Sequence, residues 1–266
     1  MQSNNQKIKT IILCGGTGTR LKEETEFKPK PMVEIGGFPI LWHIMKIYGH
    51  YNYCDFILAL GYKGTNIKDH FLKQKHYNTD ISINTKDGKV ITLDNNTPND
   101  SKDDFHIICS NTGLDTPHGE RVLKLKKYIE EDLFMVTYGD GVADIDIDKL
   151  IKFHKNHGKI ATVTGVHPIS RWGLINAGQD DIVTEFSQKP MLYDYVNGGF
   201  MVFGKEFFNY IRPGDMIEDA LVRLVNEKQL ALYKHEGFWY CMDTYRDFLL
   251  LNELWEKDPK WKIWQD

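Results

Sequence analysis

The sequence contains no CxxC pair, and its four cysteines, Cys14, Cys54, Cys109 and Cys241, stand far apart. Structural zinc sites and disulfide frameworks need closer or denser spacing, so neither is expected and the cysteines read as reduced core thiols of a cytoplasmic protein. Positive charge is not in excess either. A formal net charge of −4 leaves no basic stripe of the kind a general nucleic-acid binder carries. No run approaches the roughly 20 apolar residues of a membrane span, and the opening MQSNNQK has no apolar core for a secretory signal, so no membrane partner is expected. The GxxxxGK[ST] loop and the GxGxxG dinucleotide fingerprint are missing, as are internal repeats and Ser/Pro-rich linkers. What is present is an ordinary globular composition, 266 residues with 41% hydrophobic and 26% charged, long enough to bury a real core.

Hydrophobic patterning organises the chain. Residues 1–7 read as a flexible polar lead and 8–266 as one domain. Ile8 to Leu13 is a β-branched run that ends in glycines, a buried strand entering a loop. Apolar residues at helical spacing follow from Ile40 to Tyr48, then a strand at Asp55 to Leu60 and a helix at Thr65 to Leu72. Asp87-Gly88 between Ile81, Ile83 and Val90, Ile91, Leu93 predicts a hairpin, and the polar stretch 94–104 a loop. Further strands are expected at Phe105 to Cys109, Leu133 to Tyr138, Ile160 to Val166, Asp181 to Phe186 and Gly198 to Phe203. Helices are expected at Arg121 to Glu131, Asp148 to His157, Ile217 to Glu227 and Tyr245 to Trp255, with Leu230 to His235 and Trp239 to Met242 as a late hairpin or sheet edge. The alternation of strand and helix predicts a Rossmann-like α/β domain, its sheet mostly parallel with antiparallel additions.

Several segments carry chemistry. Gly15-Gly16-Thr17-Gly18-Thr19-Arg20 follows a strand and offers phosphate what it needs: close backbone approach, exposed N–H groups and a cation. A plain strand-to-helix turn is the alternative. In Lys28-Pro29-Lys30-Pro31 two prolines stiffen the backbone, and alternation places Lys28 and Lys30 on one side as a phosphate clamp or a solvated basic loop. Asp140, between Gly139 and Gly141, ends an apolar strand, where parallel sheets gather ligands and where a carboxylate can meet Mg2+, or else it is a bare Asp-Gly turn. Asp243 is a second carboxylate or the cap of the last helix. Ser187-Gln188-Lys189-Pro190 and Asn197-Gly198-Gly199 supply a lysine and a glycine-lined approach, or plain turn chemistry. No Ser-His-Asp or Cys-His constellation stands out, and His118 is the histidine to watch.

In this order the segments LCGGTGTRL, EET, KPKPMVEIGG, PILWHIMKIY, GYKG, TYGDGVADIDI, FHKNHGK, NGGF, GFWYCMDTYRD and LWEKDPKWKIW resemble the glucose-1-phosphate cytidylyltransferases, a branch of the sugar-nucleotide pyrophosphorylases. The resemblance runs from Ile8 to about Trp264. It implies a single nucleotidyltransferase domain that joins CTP to a sugar 1-phosphate with Mg2+, releases pyrophosphate and works as a homo-oligomer. It implies, further, that Leu13, Cys14, Gly15, Gly16 and Thr17 contact the nucleotide, with Gly18, Thr19 and Arg20 at its phosphates. Lys30 matches the phosphate-binding lysine, Thr116, Arg121 and Gly139 lie beside the nucleotide, and Asp140 and Asp243 match the two magnesium ligands. Lys189 matches the lysine on the sugar phosphate, with Asn197 and Gly199 near it. Three departures stand out: Gln188-Lys189-Pro190 for Glu-Lys-Pro, His118-Gly119-Glu120-Arg121 for Thr-Gly-Gly-Arg, and Arg171-Trp172-Gly173 for Arg-Phe-Gly. They leave the phosphate and metal chemistry intact and keep open another sugar phosphate or another triphosphate; a non-catalytic nucleotide-sugar-binding module is the reading outside the enzyme class, and joint retention of Lys30, Asp140 and Asp243 speaks against it.

Overall fold

The computed structural model describes residues 8–74, 80–93 and 103–265. The lead at 1–7 and most of the polar loop, 94–102, lie outside the described residues.

Seven strands form the central sheet: β1 (Thr10–Cys14), β2 (Asp55–Leu60), β3 (His106–Asn111), β4 (Leu133–Tyr138), β5 (Ala161–Val166), β6 (Val196–Gly204) and β7 (Leu230–Lys234). Their spatial order is β7-β5-β6-β4-β1-β2-β3. All pairs are parallel except those of β6, which runs antiparallel to both β4 and β5. Besides a single turn at Lys22–Thr25, the helices among the described residues are α1 (Ile40–His50), α2 (Gly64–Gln74), α3 (His118–Lys124), α4 (Ile147–His157), α5 (Ile217–Asn226) and α6 (Tyr245–Lys257). The α/β domain with a mostly parallel sheet is therefore as the patterning predicts.

Strand alternation feeds two cores, one on each face of the sheet. From β1 and β2, Ile12, Cys14, Phe56, Leu58 and Leu60 face a layer built on Leu41, Ile44, Met45 and Tyr48 of α1. Ile11, Leu13, Ile57 and Ala59 face the other, with Val122, Phe134, Phe203, Phe207 and Leu224. Each fully buried side chain of this kind contributes about 1.5–3 kcal/mol, so both faces of β1 are fixed before its glycine loop begins. The end of the chain closes over the first layer. Trp261 is fully buried, and its indole N–H donates to His43 Nδ1 at 3.2 Å while His43 Nε2 donates to the Ile35 carbonyl at 2.9 Å.

Some elements differ from the sequence reading. The helix expected from Arg121 begins earlier, at His118, and ends at Lys124, with a 3-10 turn over Lys126–Tyr128. Of the late hairpin or sheet edge expected for the last two strands, the sheet edge forms and the hairpin does not. β7 lies parallel to β5 at the sheet edge, while Trp239–Cys241 pairs with Gly141–Ala143. The strand Gly173–Ala177, which pairs with Val183–Gln188, was not visible, because this hairpin is exposed on both sides and has no alternation to reveal it.

Candidate active site

The site gathers at the carboxyl ends of β1 and β4. Beyond Leu13 and Cys14 the glycine loop turns back, and beyond Tyr138 the chain places Gly139 and Asp140 beside it. A cavity of about 220 Å3 is lined by Leu13, Cys14, Gly16, Gly18, Thr19 and Arg20 together with Lys30, Gly139, Asp140 and Asp243. A larger cleft of about 1010 Å3 opens next to it, with Lys189, Asn197 and Arg171 in its wall. Arg20, His118, Tyr138, Asp140 and Asp243 line both, so the carboxylates stand at the junction.

The junction is an ion cluster. Lys30 Nζ donates to Asp140 Oδ2 at 2.7 Å and to Asp243 Oδ1 at 2.8 Å. The other Asp243 oxygen accepts from Arg20 and from Arg171, each at 3.1 Å. Burial works against the Lys30 ammonium, yet Asp140 and the two hydrogen bonds outweigh it and hold its pKa above the ordinary lysine range. Burial likewise opposes the Asp243 carboxylate, and Lys30, Arg20 and Arg171 together overcome it and keep that carboxyl below its usual pKa. Both groups are charged at neutral pH.

Local chain geometry explains the placement. Pro29 is extended and Lys30 starts a 3-10 turn, so the alternation expected to align the two lysines is broken. Lys28 turns away to Glu34 at 3.6 Å, a correction to the paired clamp. Asp243 does not cap α6. Thr244 takes that place in a capping box with Asp247, whose carboxylate accepts the backbone N–H groups of Asp243 and Thr244 at 3.1 and 2.8 Å. The Asp243 side chain is thereby left to the cleft.

Gly15 and Gly139 are glycines for steric reasons. A Cβ on Gly15 would sit 2.3 Å from the Arg121 guanidinium carbon, and one on Gly139 would sit 2.9 Å from the Leu13 carbonyl oxygen. Gly15 and Thr17 themselves are not among the lining residues, nor are Thr116, Arg121 and Gly199. Arg121 is buried, and its terminal nitrogens donate to the carbonyls of Leu60, Gly113, Gly15 and Leu114 and to Thr112 Oγ1, at 2.6–3.2 Å. It ties the glycine loop to the ends of β2 and β3. Thr116 Oγ1 donates to the Thr112 carbonyl at 2.7 Å within the same knot. Arg121→Ala leaves these carbonyls unpaired and should cost about 3 kcal/mol of stability, read as a lower urea midpoint. An unchanged midpoint would show that the guanidinium is not the tie.

Asn197 lines the large cleft and accepts the Gly199 N–H at 3.0 Å. Lys189 makes no ion pair among the described residues, and its ammonium remains available. Trp172 and Gln188, two of the departures from the family pattern, do not line the cleft. His118 does, at the junction, with its ring 5.8 Å from that of Tyr138, whose hydroxyl donates to Glu218 at 2.8 Å. Burial lowers the His118 pKa, although Glu218 pulls the other way. Sequence reasoning missed Arg171 and Cys241. The only signal for Arg171 was a basic residue entering a glycine turn. For Cys241 it was strand alternation, which puts it on the same side as Asp243.

The donor atoms of Asp140, Cys241 and Asp243 lie within 4.8 Å of one another. Burial and the neighbouring Asp140 push the Cys241 thiol pKa up. All four cysteines are free, Cys14 buried and the others half-buried. Among the described residues no helix is long and apolar enough to cross a membrane.

Comparison with known proteins agrees with this geometry. A nucleotidyl transferase family model matches residues 9–258. The glucose-1-phosphate cytidylyltransferase of Salmonella typhimurium is 40% identical over 265 residues, 97% of this chain and 100% of its own. A protein of Bacillus subtilis named probable glucose-1-phosphate cytidylyltransferase is 40% identical over 262 residues, with the same coverage. The solved structure of HddC from Yersinia pseudotuberculosis superposes with a TM-score of 0.65 at 22% identity, covering 93% of this chain and 99% of that one, a likeness of fold. The chain belongs to the nucleotidyl transferase family, and within it to the glucose-1-phosphate cytidylyltransferases.

Proposed function

We propose that this protein transfers a cytidylyl group from CTP to glucose 1-phosphate, giving CDP-glucose and pyrophosphate for nucleotide-sugar and surface-polysaccharide synthesis. The observation that carries the reading is the junction itself. Three cations, Arg20, Lys30 and Arg171, and two carboxylates, Asp140 and Asp243, converge where a cavity beside the glycine loop meets a cleft holding Lys189.

In the reaction a phosphate oxygen of the sugar phosphate attacks the α-phosphorus of CTP. The new P–O bond forms as the bond to the bridging oxygen breaks, and pyrophosphate leaves. The attacking oxygen is already ionised near neutral pH, so the site needs no general base. It needs alignment and charge neutralisation. Leu13, Cys14, Gly16, Gly18 and Thr19, which line the cavity, hold the nucleotide by their backbone. Arg20 and Lys30 hold the triphosphate, and Lys189 holds the acceptor phosphate from the opposite wall.

The residues present fit Mg2+. One oxygen each from Asp140 and Asp243 already surrounds a cation, the Lys30 ammonium, and hard carboxylate oxygens with room for phosphates are what Mg2+ selects. Asp140 and Asp243 would hold the ion, which supplies neutralisation of the phosphate charge. Lys30, whose ammonium lies between the two carboxylates, would then be free to hold the phosphates.

Neither Trp172 nor Gln188 intrudes on the cleft, so the two departures nearest the sugar segment do not disfavour glucose 1-phosphate. The exposed apolar residues Ile175, Val183 and Phe186 of the Gly173–Ala177/Val183–Gln188 hairpin support a homo-oligomer, and dependence on CTP fits the cytoplasm. The test is initial-rate competition among CTP, UTP and dTTP at fixed glucose 1-phosphate, then among sugar phosphates at fixed CTP. CTP should win by a large factor, since a site that hydrogen-bonds the cytosine edge leaves polar groups unpaired with uracil or thymine. Preference for UTP or dTTP overturns the base, and inert glucose 1-phosphate overturns the sugar.

A further inference from the structure

The strand that carries Asp243 also brings a sulfur to the carboxylates. Met242 is fully buried in the core, whereas Trp239, Tyr240, Cys241 and Asp243 line the large cleft. Pairing with Gly141–Ala143 sets Cys241 opposite Gly141, and the Met242 N–H donates to the Asp140 carbonyl at 2.9 Å. These ties lock the two strand ends together. The Cys241 sulfur and one oxygen from each of Asp140 and Asp243 consequently come within 4.8 Å of one another. The Lys30 ammonium already bridges the two carboxylates, a cation in the place where they converge.

Ligand chemistry gives this set two faces. Two carboxylate oxygens suit Mg2+, which has no preference for sulfur and leaves the thiol protonated. A thiophilic divalent ion gains a third, stronger ligand from the same place. We propose that Cys241 opens this centre to thiophilic divalent cations, cadmium and zinc, which bind through its sulfur together with Asp140 and Asp243 and so exclude Mg2+. The inference rests on the reading of Asp140 and Asp243 as a cation-holding pair. Binding forms a sulfur–metal bond as the S–H proton passes to solvent, with no change of oxidation state, and moves the Lys30 ammonium out from between the carboxylates.

The test uses the whole protein and cadmium chloride alone, without nucleotide. The readouts are the ultraviolet sulfur-to-cadmium charge-transfer band and the protons released per cadmium bound. Wild type should show the band and release one proton at one tight equivalent. Cys241→Ser, checked for folding by circular dichroism, should lose that band and that proton. Asp140→Asn and Asp243→Asn should keep the cysteine but weaken the tight equivalent by about tenfold or more. A band that persists in Cys241→Ser places the metal on Cys14, Cys54 or Cys109 and overturns the proposal. So does the absence of a tight equivalent in wild type, or a band indifferent to both aspartates. The underlying reading fails separately, through Mg2+-dependent turnover that survives in Asp140→Asn.

Discussion

Asp140→Asn should lower kcat by about 100-fold or more, the loss that follows removal of one electrostatic stabiliser of a charged transition state. The amide keeps the shape and one oxygen but gives up the charge that a divalent ion needs. Folding should survive. Asp140 stands at the end of β4 with its side chain partly open to the cleft, and its backbone tie to Met242 does not involve the carboxylate. Steady-state rates with CTP and glucose 1-phosphate, beside a thermal melt, separate the two effects. Chelation of divalent ions should silence wild type in the same assay. Full activity in the variant would remove Asp140 from the centre.

Lys30→Ala should reduce kcat/KM by the equivalent of about 2–4 kcal/mol. The variant loses a phosphate cation, and it leaves Asp140 and Asp243 facing each other with no ammonium between them. Raised Mg2+ should recover part of the loss, because a divalent ion can replace the missing charge between the carboxylates but not the contact with phosphate. Lys28→Ala is the control. Its exposed pair with Glu34 at 3.6 Å is worth little, and its ammonium points away from the junction. Equal losses at Lys28 and Lys30 would mean that the loop, not the Lys30 charge, is what matters.

How far the sequence foretold this site depends on how local each signal was. The glycine loop after β1 and Asp140 after β4 were legible because strand ends and glycines are short-range patterns, and a parallel sheet brings carboxyl ends together. Lys30 was legible as a residue type, but the side it faces was not: a 3-10 turn of three residues decides it, and alternation carries no trace of such a turn. Asp243 was ambiguous until Thr244 and Asp247 claimed the cap of α6. Arg171 reaches Asp243 across 72 positions of chain, a contact that no periodicity encodes. Arg121 shows the opposite limit. An arginine beside a nucleotide site suggests a ligand contact, yet here, from within α3, its terminal nitrogens are spent on protein oxygens, which only three-dimensional packing could reveal. The fold was easier throughout, because two buried faces of one sheet impose their periods on nearly every central strand, whereas the exposed Gly173–Ala177 strand has no such constraint.

The most direct measurement is the fate of the α-phosphate. CTP labelled at that position is incubated with the protein, Mg2+ and glucose 1-phosphate, and products are separated. The account predicts that the label moves into CDP-glucose with one pyrophosphate released per transfer, and that Asp140→Asn and Lys30→Ala slow both together. Label that remains in CTP would contradict the account, and so would label that appears as CMP whether or not the sugar phosphate is present.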